Sequence, residues 1–290
     1  MSSLPAIAPA TPERGAVLLR PTKGKVIAIT SGKGGVGKTF LSANLAAALT
    51  RRGLKVLVLD ADLGLANLDV VLNLYPKLTL HDVFTGKATL EDAIVKAPGG
   101  FSVLLAGSGM VEYSRLTPEM QTDFLKLMAE VVPRYDVVLL DTGAGISDVV
   151  LFALSLASEI LLVATPEPTS LTDAYATIKV LATQQRRQQV RVIVNQAQRP
   201  GDGRAITTQL QTVLNRFVGQ PQASVEGSSR PPPSIRLIHV GDIPVDQAVK
   251  DAVMRRQLLA VYTPGAAASL AIGQIAGRLV DTVIRPDERG

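Results

Sequence analysis

The chain has 290 residues, of which 47% are hydrophobic and 19% charged, a balance typical of a folded globular protein and not of general disorder. It contains no cysteine, which excludes disulfides, thiolate metal sites and iron–sulfur clusters and favours a cytoplasmic location. The net charge of +5 is modest for this length, so charge alone gives only weak support to nucleic acid as a partner.

The ends of the chain differ in composition from its middle. The first residues lack a basic segment followed by a long apolar run, so we expect neither a signal peptide nor a membrane anchor there. We predict a flexible arm over 1–24, a single domain over 25–284 and a short tail over 285–290. Within the domain, 219–234 is rich in Pro, Gly, Ser and Gln and is predicted to form an exposed loop.

From Lys25 onward, short β-branched runs alternate with segments of helical periodicity, which predicts a mostly parallel sheet with crossover helices. The runs are continuously apolar and do not alternate with polar residues, so the strands should be buried on both faces. Seven runs meet this description: 25–30, 55–60, 101–106, 135–141, 159–165, 190–195 and 235–240.

Three of the intervening helices have recognisable ends or roles. Thr117 can cap a helix that has Pro118 at its first position. Ser170 and Asp173 have the spacing of a capping box at the start of another helix. The apolar segment 266–284 predicts the helix that closes the core.

The stretch 32–39, "GKGGVGKT", fits the phosphate-loop pattern G-x-x-x-x-G-K-[ST] between a predicted strand and a predicted helix. Its glycines Gly34, Gly35 and Gly37 would let backbone amides turn toward an anion, and the helix start would add its positive end. We therefore expect Lys38 to contact the β and γ phosphates of a nucleotide and the Thr39 hydroxyl to hold Mg²⁺.

Carboxylates follow two other predicted strands. Asp141 ends an apolar strand before the glycine-rich turn that contains Gly143 and Gly145, and it is a candidate for the Mg²⁺ shell, through water. Asp60 and Asp62 stand two residues apart beyond a second buried strand. Such a pair suits separate tasks, one on the Mg²⁺ shell and one orienting the attacking water.

The motifs "GKGGVGKT", "DADLGLANLD" and "DTGAGIS" together resemble those of the MinD/ParA class of deviant Walker A ATPases. The resemblance implies a three-layer α/β/α P-loop NTPase fold with a mostly parallel sheet of seven to eight strands. It also gives Lys33 the place of the signature lysine, which in that class reaches across an ATP-sandwich dimer to the partner's phosphate. The stretches 60–74 and 78–94 further resemble FlhG, the flagellar-number regulators of this class.

The same resemblance implies roles for individual positions. Asp62 matches the water-orienting aspartate and Asp60 the aspartate of the Mg²⁺ shell, so Lys33, Lys38 and Asp62 are the catalytic candidates, with Thr39, Asp60 and Asp141 for the metal. Asn195 matches the residue that reads adenine, and "DIPVDQAV" matches the loop that closes over the base. The expected nucleotide-binding residues are Gly32, Lys33, Gly34, Gly35, Val36, Gly37, Lys38, Thr39, Phe40, Gly145, Asn195, Pro244 and Asp246. Phe40 departs from the small or polar residue usual after the threonine, which could alter base packing or the dimer face.

The function implied is an Mg²⁺-dependent ATPase that dimerises with ATP and regulates flagellum assembly in space or number. Its partners would be a second copy, flagellar switch or regulatory proteins and an SRP-type GTPase, although 1–24 lacks the D-Q-A-x-x-L-R motif that activates that GTPase. A peripheral site at the inner membrane face has weaker support.

Alternative functions remain open from the sequence. A MinD-type cell-division regulator and a ParA-type DNA-partition ATPase share the motifs, and the basic clusters in 184–191 and 254–257 could contact DNA phosphates. Solvated helix faces explain those clusters better, so nucleic acid is the less favoured partner. A scaffold that has lost hydrolysis is a further alternative, because Phe40 is unusual, whereas the absence of cysteine excludes an iron–sulfur carrier.

Overall fold

The computed structural model describes residues 24–62, 67–107, 116–217 and 234–286. Most of the predicted arm, loop and tail therefore lies outside the described residues. The strands are β1 Lys25–Ser31, β2 Val56–Ala61, β3 Val95–Lys96, β4 Ser102–Leu104, β5 Val137–Ala144, β6 Glu159–Ala164, β7 Gln189–Ala197 and β8 Arg236–Pro244. The helices are α1 Lys38–Thr50, α2 Leu68–Leu72, α3 Leu80–Phe84, α4 Leu90–Ala93, α5 Pro118–Val131, α6 Asp148–Leu156, α7 Pro168–Thr183, α8 Asp202–Phe217, α9 Gln247–Met254, α10 Leu259–Tyr262 and α11 Ala267–Leu279. A 3₁₀ turn Val132–Arg134 follows α5, and a π-helical turn Val280–Ile284 extends α11.

The eight described strands form one sheet in the order β3-β4-β2-β5-β1-β6-β7-β8. Every neighbouring pair is parallel except β3 and β4, which are antiparallel. The predicted mostly parallel sheet of seven to eight strands is thus confirmed. The two-residue strand β3 is not among the predicted runs, since two residues are too few to show a hydrophobic pattern.

Helices cover both faces of this sheet, which confirms the three-layer α/β/α architecture. Successive side chains of a strand point to opposite faces. In β1, Val26 and Ala28 join the core under α5, α6, α7 and α8, whereas Ile27 and Ile29 join the core under α1, α10 and α11. The strands are therefore apolar at every position because each face packs against helices.

Two helix predictions have different outcomes. Thr117 caps α5 by accepting a hydrogen bond from the Met120 amide at 3.2 Å, as expected. The capping box at Ser170 is wrong, because α7 already begins at Pro168, whose fixed φ suits the first helical position. The Ser170 hydroxyl instead accepts a hydrogen bond from the Thr165 amide at 3.0 Å and joins the end of β6 to α7.

The final helical stretch, Ala267–Ile284, is long and apolar enough by composition to cross a membrane. Its residues Ile272, Ile275 and Leu279 are nonetheless buried in the core beside α1 and β8. The stretch therefore serves as the closing core helix that its sequence predicts.

Candidate functional site

The phosphate loop lies at the carboxyl edge of the sheet, between β1 and α1. Gly35 and Gly37 have φ of +79° and +94°, in the left-handed region that favours glycine. A Cβ atom placed on Gly34 or Gly35 would meet no atom within 4 Å, so the space in front of these two residues is open. Together with the α1 N-terminus, this open concave turn fits a phosphate group.

Two other glycines of the loop are fixed by neighbouring protein atoms. A Cβ on Gly32 would lie 2.2 Å from the Asp173 carbonyl carbon, and one on Gly37 would lie 2.4 Å from the Asn195 amide nitrogen. Asn195 Nδ2 also donates a hydrogen bond to the Val36 carbonyl at 2.8 Å. Helix α7 and the end of β7 therefore hold the loop from two sides.

Asp141 lies directly behind the start of α1. Ser42 donates a hydrogen bond to Asp141 Oδ1 at 2.7 Å, and the Thr39 hydroxyl donates a second one to the same carboxylate. Burial raises the pKa of Asp141 to about 6, while these two hydroxyls and the positive charge of Lys38 oppose the rise. The side chains of Lys38, Thr39 and Ser42 thus surround the Asp141 carboxylate.

Asp60 is the in-register neighbour of Asp141 across the β2–β5 pair. Its side chain is 1% exposed, and burial, with the charge of Asp141 next in importance, raises its pKa well above the usual value. Asp60 Oδ1 accepts a hydrogen bond from the Asp62 amide at 3.1 Å, whereas Oδ2 has no hydrogen-bond partner among the described residues. Two costly buried carboxylates on adjacent strand ends indicate a site for a cation.

Mg²⁺ fits this set of donors. The Thr39, Asp60 and Asp141 side chains offer only oxygen, the ligand that Mg²⁺ prefers, and Asp60 Oδ2 is an orphaned acceptor. In the described parts of the chain, no group of three or more His, Asp or Glu side chains is arranged to hold a metal ion. This agrees with a cation held by one or two carboxylates together with phosphate oxygens.

The remaining predicted catalytic and turn residues lie around the same edge. Asp62 Oδ1 would be 3.3 Å from a Cβ on Gly143, so the Asp62 side chain lies over the last residues of β5. Gly145 has a φ of +86° and donates its amide to the Ser31 carbonyl at 2.8 Å. The Asp62 side chain therefore lies beside Gly143 near the end of β5, two residues before Gly145.

Lys33 points along the loop toward α7. Its Nζ atom lies 3.2 Å from Glu167 Oε2 and 3.1 Å from Thr169 Oγ1, in a half-exposed position. Neither Glu167 nor Thr169 is among the site residues predicted from the sequence. The position of Glu167 between β6 and α7, at the carboxyl edge of a parallel sheet, was the available signal.

The predicted base-side residues occupy the ends of β7 and β8. Asn195 is the in-register neighbour of Ile243, next to Pro244. Asp246 caps two helices, because Oδ1 accepts from the Ala248 amide of α9 at 2.9 Å and Oδ2 from the Ala268 amide of α11 at 3.0 Å. Asp246 therefore ties the β8 end to two helices, whether or not it also contacts a base.

Phe40, the unusual residue of the loop, lies inward. It is 9% exposed and belongs to the core formed with α10 and α11, which also includes Val36 and Leu259. Its carbonyl accepts a hydrogen bond from Asn44 Nδ2 at 2.8 Å. The ring therefore fills the core behind the loop.

Comparisons with known proteins agree with this geometry. A family model described as "AAA domain" matches residues 24–193. The chain is 39% identical over 266 residues to the antiactivator FleN of Pseudomonas aeruginosa, covering 92% of this chain and 90% of FleN. It is 34% identical over 256 residues to the flagellum site-determining protein YlxH of Helicobacter pylori, covering 88% and 82%.

A solved structure extends the likeness to three dimensions. The septum site-determining protein MinD of Pyrococcus horikoshii, complexed with Mg-ADP, superposes with a TM-score of 0.67 at 27% identity and covers 87% of this chain and 94% of MinD. The fold, the loop geometry and the relatives all agree with the resemblance carried by the three sequence motifs. The chain therefore belongs to the MinD/ParA class of P-loop ATPases, in the same family as FleN and YlxH.

Proposed function

We propose that this protein is an Mg²⁺-dependent ATPase that dimerises in its ATP-bound form and regulates the placement or number of flagella. One observation carries the proposal. An open glycine loop faces Lys38, Thr39 and two buried carboxylates, Asp60 and Asp141, one of which keeps an unpartnered oxygen. This arrangement suits a nucleotide triphosphate with a bound divalent cation.

The reaction would convert ATP and water to ADP and inorganic phosphate. The loop amides and Lys38 would hold the β and γ phosphates, and Thr39, Asp60 and Asp141 would hold Mg²⁺, which neutralises charge on phosphate oxygens when bound. Asp62, beside Gly143 at the end of β5, would orient the attacking water and accept its proton. Val36, Phe40 and Gly145 would support the loop and the turn from behind.

The base of the nucleotide would lie at the ends of β7 and β8. The Asn195 amide uses one Nδ2 hydrogen on Val36 and one Oδ1 lone pair on the Gln196 amide. It therefore retains one donor and one acceptor, the pair that adenine recognition needs. Pro244 and Asp246 would form the neighbouring wall.

The dimer is proposed from Lys33, the second lysine of the loop. Within one chain it rests on Glu167 and Thr169 at the surface, away from its own phosphate cradle. A half-exposed cation at the mouth of the site can reach a phosphate on a facing copy, where it would stabilise transition-state charge as an arginine finger does. ATP would thereby select the dimer and hydrolysis would dissolve it.

The flagellar process is proposed from the relatives, since YlxH is named a flagellum site-determining protein. MinD, a septum site-determining protein, supports cell-division regulation as a second candidate. In either role the protein would act in the cytoplasm or at the inner membrane face, with flagellar regulatory proteins or an SRP-type GTPase as partners in the first.

The decisive test is size-exclusion chromatography with light scattering in ADP and in ATP, together with phosphate release. We expect a monomer in ADP, and a dimer in ATP that persists in Asp62→Ala because hydrolysis is blocked. Asp123→Ala, at a surface carboxylate of α5, is the matched control and should behave as wild type. A monomer in both nucleotides for wild type and Asp62→Ala would exclude the dimerising switch.

A further inference from the structure

His239 and Asp242 form a close side-chain pair near the end of β8. His239 Nε2 lies 2.6 Å from Asp242 Oδ1, and both side chains are about one-fifth exposed. An ionised carboxylate only accepts hydrogen bonds, so the histidine nitrogen donates. Neither residue was given a role from the sequence, where His239 has no partner at metal-ligand spacing.

A β-bulge brings these two residues together. In a regular strand, residues three apart point to opposite faces of the sheet. Here Val192 is opposite His239 and Ile193 is opposite Gly241, so Val240 is an extra residue in β8. The bulge turns His239 and Asp242 to the same face, and the Val240 carbonyl accepts a hydrogen bond from Arg278 at 2.5 Å.

The pair also holds the first turn of α8. Asp242 Oδ2 accepts a hydrogen bond from the Gly203 amide at 3.4 Å. A Cβ on Gly203 would lie 1.7 Å from Asp242 Oδ1 and 2.7 Å from His239 Nε2. Helix α8 can therefore approach β8 this closely only because residue 203 is glycine.

Both segments held by the pair border the proposed base site. Asp242 is the in-register neighbour of Val194, one residue before Asn195, and Pro244 follows two residues later. On the α8 side, the loop after Asn195 is fixed by Asp202, whose Oδ2 accepts from the amides of Gln198 and Arg199. The His239–Asp242 pair thus joins the base-side end of β8 to the helix that anchors the Asn195 loop.

We propose that His239 and Asp242 are positioning residues for the adenine base, since their bulge and their contact with Gly203 hold the ends of β7 and β8 in register. The inference rests on the proposed nucleotide site, but it concerns only the base. The phosphate loop lies between β1 and α1, and it meets this region only at Asn195, whose Nδ2 donates to the Val36 carbonyl. Loss of the pair should therefore weaken binding of ATP more than binding of a bare triphosphate.

The test compares ATP with inorganic tripolyphosphate by calorimetry, using the full chain with Mg²⁺. His239→Leu removes the donor, and Asp242→Asn keeps the shape but replaces one acceptor oxygen with a donor. We expect each to weaken ATP binding about fivefold, the typical effect of one hydrogen bond, with a clearly smaller effect on tripolyphosphate affinity. His239→Gln, whose amide can donate to Asp242, should restore most of the ATP affinity.

Gln211→Ala is the matched control for a merely structural role. Gln211 also joins α8 to β8, donating to the Ile235 carbonyl at 2.9 Å and accepting from the Leu237 amide at 2.7 Å, but at the opposite end of the strand. It should lower the melting temperature and leave the ratio of ATP to tripolyphosphate affinity unchanged. If His239→Leu does not fold, Asp242→Asn alone decides the question.

Three results would overturn the inference. In the first, Asp242→Asn weakens the binding of ATP and of tripolyphosphate by the same factor. In the second, Gln211→Ala lowers the ratio of ATP to tripolyphosphate affinity as much as the pair variants do. In the third, the wild type binds ATP no more tightly than tripolyphosphate, which removes the base contribution but keeps the phosphate site. A wild type that binds neither compound would instead reject the proposed function itself, and the inference with it.

Discussion

Lys33 and Glu167 form an ion pair within one chain, with 3.2 Å between Nζ and Oε2. The pair joins the phosphate loop to the residue before α7, and Thr169 Oγ1 accepts a second hydrogen bond from the same lysine at 3.1 Å. Lys33 therefore has two internal partners that it must leave before it can contact a phosphate on another copy. These contacts oppose dimerisation in the proposed mechanism.

Glu167→Gln should therefore strengthen ATP-dependent dimerisation. Both side chains are largely exposed, and such pairs contribute about 0.2–1 kcal/mol, so the dimer dissociation constant should fall by at most roughly fivefold. Sedimentation velocity in ATP over a range of protein concentrations measures this constant. Glu91→Gln, which breaks the surface pair with Arg134, is the matched control and should change nothing. A weaker dimer in Glu167→Gln would contradict this account of Lys33.

The features that the sequence predicted are those carried by contiguous residues. All the residues of the phosphate-loop pattern lie within the stretch 32–39, and its flanking strand and helix are visible as runs of apolar residues. Asp60 and Asp141 could both be predicted near the Mg²⁺ site because each closes a predicted apolar strand, and the carboxyl ends of parallel strands share one edge of the sheet.

The features that the sequence did not predict depend on strand order and on bulges. Glu167 meets Lys33 because β6 lies beside β1. The alternation of strand and helix segments along the sequence does not specify which strands are neighbours in the sheet. Ser42 reaches Asp141 for the same reason, since β5 is the other neighbour of β1. The pairing of His239 with Asp242 needs one extra residue in β8, which no period in the sequence indicates.

Ser42→Ala should impair catalysis mainly at acid pH. Ser42 donates a hydrogen bond to the Asp141 carboxylate, and such bonds to a charged group contribute about 1.5–3 kcal/mol. Its loss should raise the pKa of Asp141 further, so the acid limb of the ATPase pH profile should move upward by about one to two pH units. Phosphate release measured from about pH 5 to about pH 8, a range that includes the Asp141 pKa of about 6, gives this profile.

Ser269→Ala is the control for Ser42→Ala. Ser269 is also a buried serine, on α11, and its hydroxyl has no hydrogen-bond partner among the described residues. It should leave the pH profile in place. An unchanged acid limb in Ser42→Ala would show that the Asp141 carboxylate is not the group that limits the rate at low pH.

Asp141→Asn should stabilise the nucleotide-free, Mg²⁺-free protein at neutral and alkaline pH. Burial raises the pKa of Asp141 from 3.8 to about 6, so the folded state binds the proton more tightly than the unfolded state does. The stability that protonated Asp141 contributes is therefore fully present below its unfolded-state pKa of 3.8 and is lost as pH rises through its folded-state pKa of about 6. The loss in the free energy of unfolding is about 3 kcal/mol. Asparagine carries no charge and avoids this loss.

Thermal melts at pH 4 and pH 8, roughly either side of the titration range, measure the effect of Asp141→Asn. The gain in melting temperature over wild type should be large at the higher pH and small at the lower one. Asp148→Asn, at an exposed position in the first turn of α6, should show no such difference. An equal gain at both values would mean that the buried charge is not the cause.

Gly32→Ala and Gly34→Ala should separate the two tasks of the loop glycines. A Cβ on Gly32 would lie 2.2 Å from backbone atoms of Asp173, so the loop or α7 must move, at a cost of about 1–3 kcal/mol of stability. A Cβ on Gly34 meets nothing within 4 Å, so Gly34→Ala should fold as wild type. It should still bind ATP more weakly, because its methyl group enters the space proposed for phosphate. Urea denaturation and ATP calorimetry on both variants measure the two effects, and a destabilised Gly34→Ala with normal ATP affinity would place the phosphate elsewhere.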